Sequence, residues 1–454
     1  MERIVWAWLA ISSVLFALAH GEMRPRYGGT LHVTMRAAPA SLDPVEMAGT
    51  VDSFGGRGLV SLLFDTLMTV DDAGRAQPSL AESWQSSRGN QHWEFHLRQG
   101  VKFQDGTALT GEIAAASLRA ANSAWKISAD GNTVVIDVDS PNPEMLAELA
   151  LPRNAIAKRD QQIVGTGPFA VAQWQSGKSV TLTANEECWR GRPFLDTIEI
   201  GMGRTFRDQM NAFDMHKAEL AEVAPEQMHH IMQERRTLTS SARMELLALV
   251  FTKDAPSVEE RQLRQALALS IERGSIHNVL LQGTGQPTGS LLPSSISGYG
   301  FVFPSTADLQ KARQLRNEAR SGSTWTLGYD GSDPLSRVLA ERIALNAKDA
   351  GLTLRPTTAG EVELKLVRLP VASSNPWVAL SELLARFGMA AIKNKSGEVE
   401  DLFAQEQGAL ATGRVIPLFH LPVAYASAPA LKDCEVRLDG TWGLERAWLE
   451  ASQP

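Results

Sequence analysis

The chain has 454 residues, 51 acidic and 44 basic, for a formal net charge of −7, a mild excess that excludes an extended nucleic-acid footprint. Its 36 glycines and 22 prolines are spread along the length, which excludes collagen-like, coiled-coil and disordered compositions and predicts two or three globular domains. Only two cysteines, Cys188 and Cys434, are present, too few for a disulfide-dense scaffold or a multi-cysteine metal centre.

The first predicted element is an address. Met1-Glu2-Arg3 precedes an apolar run over 4–18, and Ala17-Leu18-Ala19 places small residues two apart before His20. This predicts a secretory signal peptide over 1–19, cleaved after Ala19. An uncleaved anchor is the alternative, although the run falls short of the ~20 residues that span a bilayer. No cysteine follows it, so a periplasmic, non-lipidated protein is expected. In an oxidising compartment Cys188 and Cys434 either pair or remain two buried thiols.

Strands follow. Trp93, Phe95 and Leu97 alternate with polar residues, as do Val134, Ile136 and Val138, and Val180 with Leu182; period-two alternation predicts half-buried strands. Thr110 is placed to cap a helix over 111–121. Farther on, Ser257-Val258-Glu259-Glu260 is a capping-box sequence, and Leu263, Ala266, Leu267, Ser270 and Ile271 recur at helical spacing behind it. Helices are also predicted over about 307–319 and, from Pro334, to about 350. Strands are expected at 324–329, 352–355 and 363–369, and helices alternating with strands suggest a separate α/β domain. Apolar runs at 246–251 and 415–421 enter and leave that region.

Catalytic motifs are sparse. The sequence contains no G-x-S-x-G, H-E-x-x-H or P-loop. Ser123-Ala124-Trp125-Lys126 fits S-x-x-K, Ser373-Ser374-Asn375 resembles S-x-N and Lys395-Ser396-Gly397 resembles K-T-G, in the order of penicillin-recognising enzymes but too widely spaced for one compact site. His229-His230 are adjacent, and His92 with His96 stand too far apart on a strand to chelate. Neither a metal nor a cofactor is expected, and a secreted hydrolase is the least favoured class.

Seven collinear segments resemble one family, the extracytoplasmic solute-binding proteins of the dipeptide/oligopeptide/nickel group (family 5), receptors of ABC importers. They are Gly28-Gly29-Thr30-Leu31 running into Ser41-Leu42-Asp43-Pro44; Leu63-Phe64-Asp65-Thr66-Leu67; Pro78-Ser79-Leu80-Ala81-Glu82-Ser83-Trp84; 95–110; Val164-Gly165-Thr166-Gly167-Pro168-Phe169; 189–196; and Leu263-Arg264-Gln265-Ala266-Leu267. The resemblance implies an α/β, two-lobed type II periplasmic-binding-protein fold, with an interlobe ligand cleft, a hinge and the extra subdomain of the peptide-binding group. Lobe I would comprise 20–250 plus 415–454, with an inserted subdomain at about 45–160, and lobe II 251–414. The runs 246–251 and 415–421 would be the crossing strands.

By the same resemblance the function is capture of a small solute or short peptide by a monomer, without catalysis, and delivery to an inner-membrane ABC permease. A non-transport binding, sensor or structural protein on the same scaffold is the alternative. The implied cleft residues are Ala38, Pro39 and Ala40, with Arg368, Leu369, Ala372, Ser373 and Trp377. Ala372 stands where peptide receptors of the group carry the aspartate that meets the peptide's amino terminus, and Leu369 where they carry a tryptophan. A buried ammonium would find no partner on Ala372. The chain is also short after Asn122 and between Leu354 and Glu363, where family members carry more.

Overall fold

The computed structural model describes residues 24–47, 54–234, 236–320, 322, 324–390, 392, 397–437 and 441–450. The expected signal peptide and the Lys395-Ser396 pair lie outside them. Alternation makes Thr30–Thr34 a strand, β1, with Leu31 and Val33 buried. Phe54–Leu63 forms a helix, α1. The chain then builds a four-stranded antiparallel sheet from Ala81–Ser87 (β2), His92–Leu97 (β3), Lys126–Asp130 (β4) and Thr133–Asp137 (β5), in the order β2-β3-β5-β4. Gly111–Ala121 (α2) covers it, begun by Thr110, whose hydroxyl accepts the Ile113 N–H at 3.3 Å. Phe95, Ile136 and Leu118 centre a core belonging to this unit.

The chain returns through the hairpin Phe169–Gln175 (β6) and Ser179–Ala184 (β7), then Thr197–Gly201 (β8), Phe206–Asp214 (α3), Leu220–Val223 (β9) and Thr237–Ser240 (β10). Glu245–Phe251 (β11) opens a second unit and is followed by Val258–Ser270 (α4), Gln286–Pro287 (β12), Leu309–Glu318 (α5), Thr324–Gly328 (β13) and Pro334–Asp349 (α6). It continues with Thr353–Thr357 (β14), Leu364–Pro370 (β15), Pro376–Arg386 (α7), Val399–Ala411 (α8) and Val415–Leu421 (β16), and Ala424–Ser427 (β17) rejoins the first unit. The expected cap at Ser257 is made, its Oγ accepting the Glu260 N–H at 3.0 Å, and the helix begun by Pro334 is capped by Asp333, whose Oδ1 accepts the Leu335 N–H at 3.0 Å. The first sheet has the order β6-β7-β8-β1-β9-β17-β10 and the second β12-β16-β11-β15-β13-β14.

The two runs expected as crossing strands both belong to the second sheet. β11 and β16 lie side by side in the second sheet, with Glu245 opposite Leu421. Their continuous apolar sequence suits this position, because both faces are buried. Leu247, Leu249 and Phe251 pack toward α4, α5 and α6, while Leu246 and Ala248 share the other core with α7. Segments 241–244 and 422–423, which join this sheet to the first, are bonded to each other by Ser241 N–H to the Val423 carbonyl at 2.8 Å and Val423 N–H to Ser241 Oγ at 3.1 Å. No helix among the described residues is long and apolar enough to cross a membrane.

Candidate ligand cavity

Asp65, just past α1, organises one wall. Its buried carboxylate accepts from the Thr166 hydroxyl at 2.8 Å and the Trp189 indole N–H at 2.9 Å, and pairs with Arg190 at 2.7 Å. These bonds join three of the segments singled out in the sequence. Gly165 and Gly167 bring their loop against the end of α1, where a Cβ on Gly165 would lie 2.1 Å from the Leu63 carbonyl oxygen. This Gly-Thr-Gly stretch serves close backbone packing.

Beside this wall is a cavity of about 400 Å³. α1 and the residue after it give it Arg57, Ser61 and Phe64; the four-stranded unit and its approaches give Thr69, Ser79 and Leu151; the loop after β15 gives Ala372, Ser373 and Ser374; and the C-terminal segment gives Arg437, Thr441 and Glu445. Both sheet units therefore contribute. Around the cavity they touch directly: Arg57 Nη1 donates to the carbonyls of Val371 and Ala372 at 3.4 and 3.3 Å, Asn375 Nδ2 to Glu144 at 2.6 Å, and Arg153 pairs with Glu382 at 2.6 Å. The turn at Gly74, at φ +77°, lies so near the loop that a Cβ there would be 2.8 Å from the Ser374 carbonyl oxygen.

Of the residues the sequence proposed, Ala372 and Ser373 line this cavity. The others do not. Leu369 packs against the large core. Trp377 is buried at the start of α7, where Asn375 Oδ1 accepts its N–H at 3.0 Å, and it borders a separate cleft of about 300 Å³ with Trp125 and Glu148. Ala38, Pro39 and Ala40 lie beneath the β6–β7 turn, the Pro39 carbonyl accepting from Gly177 N–H at 3.1 Å and that of Ala40 from the Ser176 hydroxyl at 2.9 Å. Lys126 of the Ser123-to-Lys126 match has a side chain 77% exposed, its ammonium paired with Asp139 at 3.1 Å. Cys188 and Cys434 are both free thiols; Cys188 sits beside Arg190 and Asp65, whereas burial pushes Cys434, next to Glu435, up to about 12.

Arg368 is held within the protein. Its guanidinium donates twice to Glu245 Oε2, at 2.9 and 2.5 Å, stands 3.6 Å from Asp333 and lies 5.7 Å from the centre of the Phe206 ring. Arg36 occupies the same ring at 4.3 Å and binds Glu222 through two bonds of 3.0 and 2.9 Å. Burial opposes the charge on Arg36, but Glu222, with Glu245 and Asp333 farther off, holds it above the usual arginine range. Two arginines, one from each sheet unit, thus flank one aromatic ring at the junction.

Arg57 was missed by motif reasoning. Its signal was the single charge in the otherwise small and apolar stretch of α1, where it is now 5% exposed. Among the described residues no group of three or more His, Cys, Asp or Glu side chains is arranged to hold a metal ion.

A family model, bacterial extracellular solute-binding proteins, family 5, matches residues 75–366. The chain is 25% identical over 381 residues to the nickel-binding protein NikA of Staphylococcus aureus, covering 78% of this chain and 74% of that one. It is 26% identical over 290 residues to the peptide transport periplasmic protein SapA of Salmonella typhimurium, spanning 53% of each. The fold is like that of the dipeptide binding protein of Pseudoalteromonas sp. SM9913, solved in complex with Met-Leu, with a TM-score of 0.79, 15% identity and coverage of 93% of this chain and 100% of that one.

Proposed function

The chain belongs to the bacterial extracellular solute-binding proteins of family 5, and from that membership we propose that it is the periplasmic solute-binding component of an ABC importer. As a monomer it would hold a small solute or short peptide between two lobes and present the closed form to a membrane permease. Lobe I would run to residue 244 and resume at 422, and lobe II would be the segment between. The observation that carries the proposal is the cavity shared by α1, the four-stranded unit, the loop after β15 and the C-terminal segment. A ligand touching both lobes favours their closed arrangement by its differential affinity. Members of the family are carriers, and no chemical step is assigned to any residue.

The test is titration calorimetry of the mature protein against peptide and small-solute panels, paired with small-angle scattering. Saturable binding accompanied by a smaller radius of gyration is expected. Absence of both heat and compaction across the panels would overturn the reading.

A further inference from the structure

A second cavity, of about 440 Å³, lies wholly within the second sheet unit and shares no lining residue with the first. α4 supplies much of its wall, because Arg261, Arg264, Gln265 and Ala268 recur at helical spacing and so stand on one face. Phe303, the end of α8 and the start of β16 complete it. Leu269, Leu410 and Ile416 give this wall an apolar surface. Val258 and Phe303, 63% and 40% exposed, add two large apolar side chains where the cavity meets solvent. Single exposed hydrophobics need no explanation, but two that converge on one cavity mark a surface suited to an apolar partner.

The charge around this apolar space has one sign. Its lining carries three guanidiniums, Arg261, Arg264 and Arg273, and no carboxylate among the described residues. Arg264 has an acid beside it, Glu260 at 3.2 Å, and that same carboxylate oxygen accepts the Trp325 indole N–H at 3.1 Å. Arg273 is 3% exposed and is held by backbone: Nε and Nη2 donate to the Pro417 carbonyl at 3.2 and 2.8 Å, and Nη1 to that of Ala268 at 3.1 Å. Burial lowers its pKa to about 10, which leaves it charged at neutral pH. These bonds fix the guanidinium but bring no negative charge to it, and a positive group taken out of water gains from an anion brought near. Arg261 is exposed and adds charge at the solvent side, while the amides of Gln262 and Gln265 can donate to anionic oxygens.

We infer that this cavity is a second binding site, which takes a small amphipathic carboxylate, its apolar body against Leu269, Leu410 and Ile416 and its charge among the arginines. Planar carboxylates match the guanidinium fork. The volume suits a small molecule. Since every wall comes from one unit, occupation requires no closure of one unit on the other, and the site is independent of the solute-binding cavity proposed above.

Octanoate is the probe, with octylammonium to test the sign of the charge and acetate to test the apolar body. Calorimetry on the mature protein should show octanoate binding at least tenfold more tightly than either, with scattering unchanged on binding. Arg261→Glu, at an exposed position, should lower octanoate affinity at least tenfold while circular dichroism remains that of the parent. Ala268→Phe, which fills the cavity, should do the same; should it fail to fold, Arg261→Glu decides. Ser374→Phe, in the other cavity, should leave octanoate affinity within twofold of the parent. Equal or tighter binding of octylammonium or acetate, unchanged octanoate affinity in Arg261→Glu, loss of it in Ser374→Phe, or no octanoate binding at all would each overturn the inference. None of these results bears on the solute-binding reading, which the wider panels decide.

Discussion

His420, in the middle of β16, is 2% exposed, and its Nε2 lies 3.0 Å from the Leu291 carbonyl oxygen. Burial lowers its pKa from 6.5 to about 4. The unfolded chain therefore binds a proton that the folded one refuses across this interval, so stability is full above pH 6.5 and falls as the pH drops toward 4. The loss at this one site is roughly 3 kcal/mol. Urea midpoints measured from pH 7 to pH 4 should decline in the parent and decline less in His420→Gln, which retains a donor for Leu291 and does not titrate. Nothing in the sequence around His420 distinguished it from eight other histidines, since its burial is set by strands that meet it from far along the chain. Arg368 illustrates the converse. The sequence placed it correctly in a strand, but its partner Glu245 comes from a different strand, and without that pairing a buried arginine resembles a ligand contact.

At the scale of elements, local signals and distant packing separate cleanly. The helices α2, α4 and α6 begin where Thr110, Ser257 and Asp333 cap them, because a cap is written within four residues. Glycine roles were less visible from the chain alone. Gly408 lies within α8 with nothing within 4 Å of a Cβ added there, whereas the Cβ of an alanine at 165 would run into the Leu63 carbonyl. Gly408→Ala should accordingly raise stability by about 0.5–1 kcal/mol through helix propensity. Gly165→Ala should lower it by about 1–3 kcal/mol, as overpacking does. Guanidinium denaturation of the two variants beside the parent reads both signs. The boundary runs 246–251 and 415–421 are strands as expected, but an apolar run reports burial on two faces and says nothing of which sheet supplies it.

For the whole molecule, the turn at Gly74 is where the four-stranded unit meets the loop that lines the cavity. Gly74→Val sets a side chain against Ser374, while Gly106→Val has a similar positive φ of +82° with nothing within 4 Å of its Cβ, so backbone strain is matched and only the obstruction differs. Scattering should give a larger radius of gyration for the Gly74 variant than for the Gly106 variant. Solute affinity should fall with it. The family's collinear segments made the two-lobed layout legible in the sequence, but the cavity wall was legible only in part, since Arg57, Asp65 and Arg437 converge from three separate regions. The adjacency of Glu245 and Leu421 in one ladder has a further consequence. On the proposed division the second lobe would leave and re-enter the first at a single place, its two ends about 5 Å apart, as a cassette does. Exchange for the equivalent segment of a relative would need only two splices, and specificity could be transplanted while the first lobe's surface stays as it was.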